Sequence, residues 1–377
     1  VQSQQCYNTH YSELCENCSD SYFLFDCRGC QNCILCAGIR NGEYMVMNKK
    51  YTKEEFEVQK KEFLKTLHAY KNKIIKLFDE IKQNLAHKNV HNLSEENCTG
   101  DFINNSKNVY NGFNIIHCED SVDAYNSSKL KNCYGAYCSD VGELCIDSDT
   151  NYDLYNTHFC TYVVGCKNSM YCDQDFYLNN CFGCVGLKRK NYMILNKAYS
   201  EKEYFEMIKK IKEHMKKPRL AGQASEWGVP FPATLSSFAY NETVAHDEYP
   251  LTKEEATAQG FRWYEPKEEA EYFGPKYEIP NNMEEIDKSI CDKILVCEVT
   301  GKNYKIIPQE FDFYKKFNLP IPRRCPDQRY HDILKLQNPT KLNDAICSSC
   351  SKKIQTTYPK NTPYKIVCTD CYLSYIM

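Results

Sequence analysis

The sequence predicts a mostly β protein with added α-helices: a duplicated short-coil β-solenoid followed by zinc ribbons. Three observations predict it: 24 cysteines and 30 tyrosines among 377 residues, a long internal repeat, and two CxxC pairs near the C-terminus. A repeat of like residues at fixed spacing is typical of solenoids, in which each coil packs only against its neighbours. Paired CxxC motifs are typical of small domains that fold around zinc.

The internal repeat has a spacing of 148 residues. The segment NCSDSYFLFDCRGCQNCILCAGIRNGEYMVMNKKYTKEEF, residues 17–56, aligns without a gap with GCKNSMYCDQDFYLNNCFGCVGLKRKNYMILNKAYSEKEY, residues 165–204. Positions with identical residues include Cys18, Cys33 and Asn48 of the first segment. We therefore expect one structural unit to be used twice.

A shorter spacing of 15 residues runs through both copies. Cysteines at this spacing are Cys15 and Cys30, Cys18 and Cys33, Cys118 and Cys133, Cys145 and Cys160, and Cys166 and Cys181. Tyr-Asn dipeptides begin at Tyr110, Tyr125 and Tyr155, again in multiples of 15. The stretches between them alternate apolar and polar residues and break at Asn, Asp, Ser and Gly, which indicates short strands joined by turns. The spacing predicts coils of about 15 residues, with Cys, Val, Ile and Tyr inside. An irregular β-sandwich is the main alternative.

Most of the early cysteines are predicted to be packing residues. Cys30 aligns with Leu178, and a position that accepts either residue uses Cys as a small apolar side chain. The pairs Cys33 and Cys36, and Cys181 and Cys184, are cysteines in both copies and leave three interpretations open. They are equivalent interior positions, a redox dithiol, or one shared four-thiolate metal site.

Each copy ends at the start of a predicted helix that would cap the coils. Thr52 with Glu55 and Ser200 with Glu203 form capping boxes, and apolar residues then follow helical spacing, in the first case to about His87. The chain divides into a first partial solenoid copy (1–51), a long helix (52–90), a second copy (91–199), a capping helix (200–217), an extended linker with a short helix (218–290), a degenerate zinc ribbon (291–345) and a zinc ribbon (346–377).

The clearest chemical signal is a set of four cysteines in the last 31 residues. Cys347 and Cys350 form one CxxC pair, and Cys368 and Cys371 form another after 17 intervening residues. Four thiolates at this spacing close a tetrahedron around one Zn²⁺ ion, and with no coordination position left for substrate the ion would be structural. A pair of disulfides is the alternative.

A second, incomplete ligand set lies upstream. Cys297 and Cys325 occupy positions like those in the last domain, but Thr300 and Gln328 stand where the partner cysteines would be. Two thiols are too few for a zinc site unless Cys291 substitutes for one missing ligand.

Several longer segments carry a resemblance to a family. They are residues 180–204, SFAYNETVA at 237–245, YPLTKEEA with GFRW near 249–263, KIIPQEFDFYKKFNLPIPRRCP at 305–326, NPTKL at 338–342, and the final cysteine quartet. Through these, most of the chain resembles an uncharacterised family of cysteine-rich repeat proteins that end in tandem zinc ribbons and are frequent in ultrasmall bacteria with reduced genomes. The resemblance implies the architecture and implies no activity, and Thr300 and Gln328 depart from the first ribbon of the family.

The sequence favours a protein that is not an enzyme. It contains no HExxH, GxGxxG, GxxxxGK[ST] or GxSxG motif, so no catalytic residue, organic cofactor or small-molecule substrate is predicted. No apolar run is long enough to span a membrane, and the cysteine pattern favours a reducing compartment, so we expect a cytoplasmic protein. The preferred function is a scaffold that presents a Tyr- and Asn-rich solenoid face to protein partners or for self-assembly.

The alternative function is RNA or DNA binding through the C-terminal region. Residues 291–377 carry 14 Lys and Arg against 8 Asp and Glu, with aromatic residues among them. The candidate phosphate-binding residues are Lys315, Lys316, Arg323, Arg324, Arg329, Lys352 and Lys353. An enzyme with a site in a solenoid groove is a minor alternative.

Overall fold

The structure is a computed structural model that describes residues 1–218, 225–265 and 277–376. It combines strands and helices in several sheets, as the sequence predicts at this level. The predicted linker, residues 218–290, lies partly outside the described residues.

The first repeat forms a five-stranded sheet in which each strand is hydrogen-bonded to the next. Its strands are β1 (Tyr7–His10), β2 (Ser19–Phe25), β3 (Gln31–Ala37), β4 (Glu43–Val46) and β5 (Lys49–Lys50). The first four are parallel, and their register pairs Tyr7 with Ser19, Ser19 with Gln31, and Gln31 with Glu43. The offset is twelve residues each time, so the chain returns to the same lateral position after twelve residues.

A three-residue unit generates this circuit. Every third side chain of the first repeat is buried between Cys15 and Cys36: Cys15, Cys18, Ser21, Leu24, Cys27, Cys30, Cys33 and Cys36. The residue before each buried position, such as Asn17, Asp20 or Asn32, has a positive φ near 50°. Asn and Asp tolerate this left-handed conformation better than most residues, which explains their frequency between the cysteines. Four such triplets complete one circuit.

The predicted coil length of about 15 residues is therefore wrong. Twelve residues make one circuit, and 15 residues make one circuit plus one triplet, so a spacing of 15 still joins two inward positions. The interior also differs from the prediction, because the aligned tyrosines Tyr110 and Tyr155 are exposed. Their positions in the triplet point outward, whereas Cys, Ser, Val, Ile and Leu side chains occupy the inside.

The long helix α1 (Lys53–Gln83) follows the first repeat and starts at the predicted capping box of Thr52 and Glu55. It packs against outward residues on successive parallel strands, including the register partners Tyr22, Ile34 and Val46. The helix therefore covers one side of the stacked circuits. Residues near the predicted helix end form a short strand, β6 (Ala86–Lys88), instead.

The second repeat continues with the same offset of twelve. Its strands are β7 (Gly100–Asn104), β8 (Lys107–Tyr110), β9 (Gly112–Ile116), β10 (Glu119–Tyr125), β11 (Ser128–Lys131), β12 (Tyr134–Glu143), β13 (Ile146–Tyr155), β14 (Asn179–Phe182), β15 (Asn191–Ile194) and β16 (Lys197–Ala198). Val122 pairs with Tyr134, and Tyr134 with Ile146. Isolated parallel bridges keep this register from Ile146 to Lys188. The helix α2 (Glu201–Met215) follows, with the predicted capping box at Ser200.

The two repeats end with the same asparagine contact. Asn48 accepts a hydrogen bond from the Ala37 amide and donates one to the Ala37 carbonyl, both at 2.9 Å. Asn196 makes the same pair of bonds to Val185, at 2.9 and 2.8 Å. These asparagines bond backbone groups of the last circuit, which would otherwise lack the hydrogen bonds that a following circuit supplies.

The C-terminal third contains short helices and hairpins. Its elements are α3 (Val244–Glu248), α4 (Lys253–Ala258), β17 (Leu295–Val296), β18 (Asn303–Tyr304), α5 (Pro308–Lys316), α6 (Pro326–Leu334), β19 (Asn343–Ile346), β20 (Lys353–Thr356), β21 (Lys365–Val367) and α7 (Thr369–Ile376). We call residues 295–334 the upstream module and residues 343–376 the C-terminal module. Strand β21 pairs in parallel with β6, which joins the C-terminal module to the chain between the repeats. None of the helices in the described ranges combines the length and the apolar character that a membrane span needs.

Candidate metal centre

The four predicted cysteines of the C-terminal module lie together. The Sγ atoms of Cys347, Cys350, Cys368 and Cys371 are all within 4.8 Å of one another. Cys347 and Cys368 are buried, Cys371 is half-buried and Cys350 is exposed, so one side of the cluster faces solvent. Four thiolates in this arrangement could hold a metal ion.

Local backbone structure explains how the first pair of thiols is positioned. Cys347 follows strand β19, its amide donates to the Lys352 carbonyl at 2.9 Å, and the Ser351 amide donates back to the Cys347 carbonyl at 3.0 Å. Ser351 has a φ of 60°, which turns the chain sharply into β20. The resulting loop directs Cys347 and Cys350 to the same side.

The second pair lies where a strand meets a helix. Cys368 directly follows β21 and Cys371 is in the first turn of α7, so the two side chains project from adjacent turns. The Cys368 amide donates to the Cys347 Sγ at 3.3 Å, and the Sγ atoms of Cys350 and Cys368 are 3.8 Å apart.

The surroundings favour an anionic Cys347. Burial acts to raise the pKa of this thiol, but the backbone amides of Cys368, Cys350 and Ser349 outweigh it and hold the pKa at about 6. Amide hydrogen bonds stabilise thiolates because they donate to the charged sulfur. A thiolate at neutral pH is the form that binds a metal.

The C-terminal module is docked on the first repeat next to the cluster. Tyr372, adjacent to Cys371, donates its hydroxyl to the Asp26 carboxylate and accepts a bond from Arg40 at 2.8 Å. Arg40 and Asp26 form an ion pair at 3.1 Å. Burial raises the pKa of Tyr372, as does the Asp26 charge, so this hydroxyl keeps its proton.

The C-terminal module also contacts β6 and the start of the second repeat. His87, in β6, approaches the Tyr358 hydroxyl at 3.2 Å and stacks on Tyr364 with ring centroids 4.2 Å apart. At the start of the second repeat, the buried Asp101 accepts a hydrogen bond from Thr357 at 2.6 Å and contacts His91. The C-terminal module therefore touches the first repeat, the connecting strand and the second repeat.

The upstream module has the same backbone hydrogen bonds as the C-terminal module but only two of the four corresponding cysteines. The Cys297 amide donates to the Lys302 carbonyl at 2.9 Å, and the Gly301 amide donates to the Cys297 carbonyl at 3.0 Å, as Cys347, Lys352 and Ser351 do. Thr300 contacts Cys325 at 3.7 Å in place of a second thiol. Gln328 donates to Asp332 instead. Neither Cys297 nor Cys325 belongs to a group of three or more ligands within the described part of the chain.

The four repeat cysteines proposed as a shared metal site are not brought together. Cys33 and Cys36 lie in one buried cluster, whereas Cys181 and Cys184 lie in a different one. The Cys33 thiol donates to the carbonyl two residues earlier, at 3.3 Å, as the Ser21 hydroxyl does at 2.6 Å. The Cys30 thiol acts to lower the pKa of Cys33, but Cys36 and burial raise it to about 12. The Cys33 thiol therefore stays neutral and packs in the interior.

The predicted phosphate-binding residues are scattered, and their three arginines make contacts within the protein. Arg324 bonds Glu298 and Asp332, and Arg329 bonds Glu310. Arg323 bonds the Ile279 carbonyl at 2.7 Å. The remaining candidates are lysines: Lys315 lies over Phe311, Lys316 over Phe317, Lys352 is 4.0 Å from Asp370, and Lys353 begins β20.

The sequence did not indicate the docking contacts of Tyr372, Thr357 and His87. Each of these residues contacts a partner that is far away in the sequence, and local residue spacing does not predict such contacts.

In comparisons with known proteins, no family model, no curated protein and no solved structure matches this chain.

Proposed function

We propose that this protein is a structural scaffold in which a metal-bound C-terminal module braces two β-solenoid repeats. The observation that carries the proposal is the position of Tyr372. It directly follows a candidate ligand, Cys371, and its hydroxyl bonds Asp26 in the first repeat. An ion that fixes the start of α7 would therefore fix this contact, and its role would be structural.

Zinc is the ion that the cluster fits best. A tetrahedron with Zn–S distances of about 2.3 Å has edges of about 3.8 Å. The Cys350 to Cys368 separation of 3.8 Å equals that edge. Four thiolates leave no coordination position for water or substrate, which supports a structural site.

The repeats supply the proposed scaffold surface. A parallel neighbour every twelve residues and an interior of Cys, Ser and aliphatic side chains support a β-solenoid. Tyr110 and Tyr134 are exposed by 45% and 51%, and they flank their common register partner Val122. These two exposed tyrosines, on the strands on either side of β10 and here called the tyrosine row, suit contact with protein partners or with a second copy.

The arginine contacts count against the alternative function of nucleic-acid binding. A guanidinium held by a carboxylate must give up that ion pair before it binds phosphate. Arg324 and Arg329 are held in this way, and Arg323 is held by a backbone carbonyl and Asn281. We therefore retain the scaffold as the proposed function.

Two measurements on the full chain test the proposal. We expect elemental analysis of protein purified without added metal to give about one zinc per chain, and Cys350→Ser to lower the zinc content severalfold. Cys138→Ser is the matched control, since Cys138 is also exposed but lies in the second repeat. The proposal fails if the zinc content is unchanged in Cys350→Ser, or if metal removal leaves the amide hydrogen exchange of β6 and β21 unchanged.

The surface part of the proposal has its own test. Sedimentation or light scattering over a range of concentrations would detect self-assembly, and pull-down with defined candidate proteins would detect partners. Tyr134→Lys should reduce the association, while Tyr375→Lys, on the exposed side of the C-terminal module, should not. If neither variant changes it, the tyrosine row is not the contact surface.

A further inference from the structure

The upstream module has the backbone arrangement of the candidate metal centre but not its four cysteines, and the proposed scaffold gives it no role. The two modules share four backbone hydrogen bonds at equivalent places. In addition to those at Cys297 and Gly301, the Glu298 amide donates to Arg323 at 3.0 Å and the Arg329 amide to Cys325 at 3.0 Å. The C-terminal module has the same bonds from Ser348 to Ile366 and from Tyr372 to Cys368, both at 2.9 Å. Cys297 and Cys325 thus correspond to Cys347 and Cys368.

The corresponding pair shows how close the two upstream thiols are placed. Cys347 and Cys368 project from opposite loops, and their Sγ atoms lie within 4.8 Å of each other. In the upstream module the Thr300 hydroxyl, three residues after Cys297, lies 3.7 Å from the Cys325 Sγ. This contact and the equivalent backbone bonds place the two thiols on facing loops, as in the C-terminal module.

We propose that Cys297 and Cys325 form an oxidation site, in which peroxide converts the two thiols into a reversible disulfide. Cys297 is the attacking thiolate and Cys325 the resolving thiol. The disulfide would link the two loops at the place where the C-terminal module uses a metal.

Electrostatics identify Cys297 as the attacking group. Burial acts to raise its pKa, but the Thr300 hydroxyl and the amides of Cys325, Thr300 and Val299 outweigh burial and lower the pKa to about 6. Thiolates attack peroxide and thiols do not, so Cys297 is ionised and reactive near neutral pH. In the C-terminal module the same charge is satisfied by a metal, whereas here two thiols do not complete a site.

The chemistry balances with hydrogen peroxide as the oxidant. The Cys297 thiolate attacks one peroxide oxygen and breaks the O–O bond, which gives a sulfenic acid and hydroxide. The Cys325 thiol then attacks the Cys297 sulfur, so that the S–S bond forms and water leaves. The two thiols lose two electrons, and peroxide is reduced to water. Cys297 is buried, and the three residues that follow it, Glu298, Val299 and Thr300, form an exposed loop.

Peptide mapping of the full chain under non-reducing conditions tests the proposal. After treatment of the metal-loaded protein with a small excess of hydrogen peroxide, we expect a Cys297 to Cys325 linkage that a thiol reductant removes. The rate should fall about tenfold from pH 7.5 to pH 5, because only about a tenth of a thiol with this pKa is ionised at the lower pH. Failure to find this linkage, while other cysteines of the chain oxidise, would overturn the proposal.

Two variants separate the roles of the sulfurs. Cys325→Ser should stop at a sulfenic acid on Cys297, which a dimedone-type reagent traps, whereas Cys297→Ser should give neither product. Cys291→Ser is the matched control, because Cys291 is half-buried in the same segment and should leave the linkage intact. Equal labelling of wild type and Cys325→Ser would show that Cys325 does not resolve the sulfenic acid. The wild-type map decides the main question even if a variant folds poorly.

Discussion

Tyr372 and Asp26 are hydrogen-bonded although 346 residues separate them in the chain. Tyr372 follows the last cysteine of the candidate metal centre, and Asp26 lies in the first repeat, where Arg40 completes the contact. The two ends of the described chain are therefore held together beside the candidate metal ligands. Because of this contact, a change at the candidate metal centre should also affect the docking contact and the stability of the first repeat.

Metal removal should destabilise the whole protein and not only its last domain. Structural zinc contributes about 10 kcal/mol or more to the folding of small isolated domains, so Cys368→Ser should unfold the C-terminal module. Tyr372 would then lose its position against Asp26, and β21 would separate from β6. We expect a lower thermal midpoint and earlier proteolytic cleavage near residues 84–92. Cys138→Ser should retain the wild-type midpoint, and the same result for Cys368→Ser would contradict the linkage.

Tyr372→Phe should test the docking contact alone. The change removes a hydroxyl that bonds both Asp26 and Arg40. These half-buried groups keep their mutual ion pair but lose this third partner, which typically costs about 1–3 kcal/mol. The readout is the free energy of unfolding from urea denaturation. Tyr375→Phe is the control, since the Tyr375 hydroxyl bonds Lys365 and Ser349 at an exposed site and its loss should leave the free energy of unfolding almost unchanged. Equal effects for the two variants would show that the Asp26 contact adds nothing.

His87 should make the protein sensitive to mild acid. Burial lowers its pKa from 6.5 to about 4, against a smaller opposing effect of the Lys82 carbonyl. Below pH 6.5 the unfolded chain binds a proton that the folded chain does not, so stability falls between pH 6.5 and 4, by about 3 kcal/mol at most.

The comparison of His87→Phe with wild type isolates this effect. The variant should lose less stability than wild type when urea denaturation is compared at pH 7 and pH 5. His117→Gln, at an exposed corner of the second repeat, should follow the wild-type pH dependence. If His87→Phe does so as well, His87 is not the acid-sensitive group.

Asp175 should be a weak point of the second repeat. It occupies the position of Cys27 in the alignment, is fully buried, and has one carboxylate oxygen without a hydrogen-bond partner among the described residues. Burial raises its pKa to about 6, against the opposing bond from the Leu187 amide. Because the folded state binds this proton more tightly than the unfolded state, Asp175 lowers stability as pH rises from about 4 to above 6.

Exchange of the two aligned residues tests this interpretation. Asp175→Cys should raise the denaturation midpoint at pH 8 and have a smaller effect at pH 5, and a thiol in the interior can still accept an amide bond, as Cys166 does from Leu178 at 3.5 Å. The reciprocal change, Cys27→Asp, should lower the midpoint most at pH 8. If Asp175→Cys is destabilising at both pH values, the carboxylate has a favourable role in the interior.

Local patterns in the sequence predicted the local structure. The capping boxes at Thr52 and Ser200 gave the correct starts of α1 and α2, because cap and helix are adjacent in the chain. The spacing of Cys347, Cys350, Cys368 and Cys371 likewise predicted the cluster, since the two cysteines of each pair are only three residues apart. The identity of the metal stays a prediction.

Features that depend on contacts between distant parts of the chain could be predicted from the sequence only in part. The buried cysteines are separated by various multiples of three, so a spacing of 15 looked like the coil length although the strands pair at twelve. The pairing of β6 with β21 joins residues almost 280 positions apart and leaves no periodic signal. The same limitation hid the contact of Thr357 with Asp101.

Because each circuit takes twelve residues, the length of a repeat along its stacking direction grows in fixed steps. Insertion of twelve residues would add one layer of about 4.8 Å and keep every later side chain on its original side. Insertion of three would preserve inward and outward positions but rotate all later residues by a quarter turn. The spacing of 148 residues between the copies exceeds a multiple of three by one. Inward positions such as Cys18 therefore have residue numbers divisible by three in the first repeat, whereas those in the second, such as Cys166, do not. The inward positions of the two repeats are thus counted separately, with α1 and β6 between them.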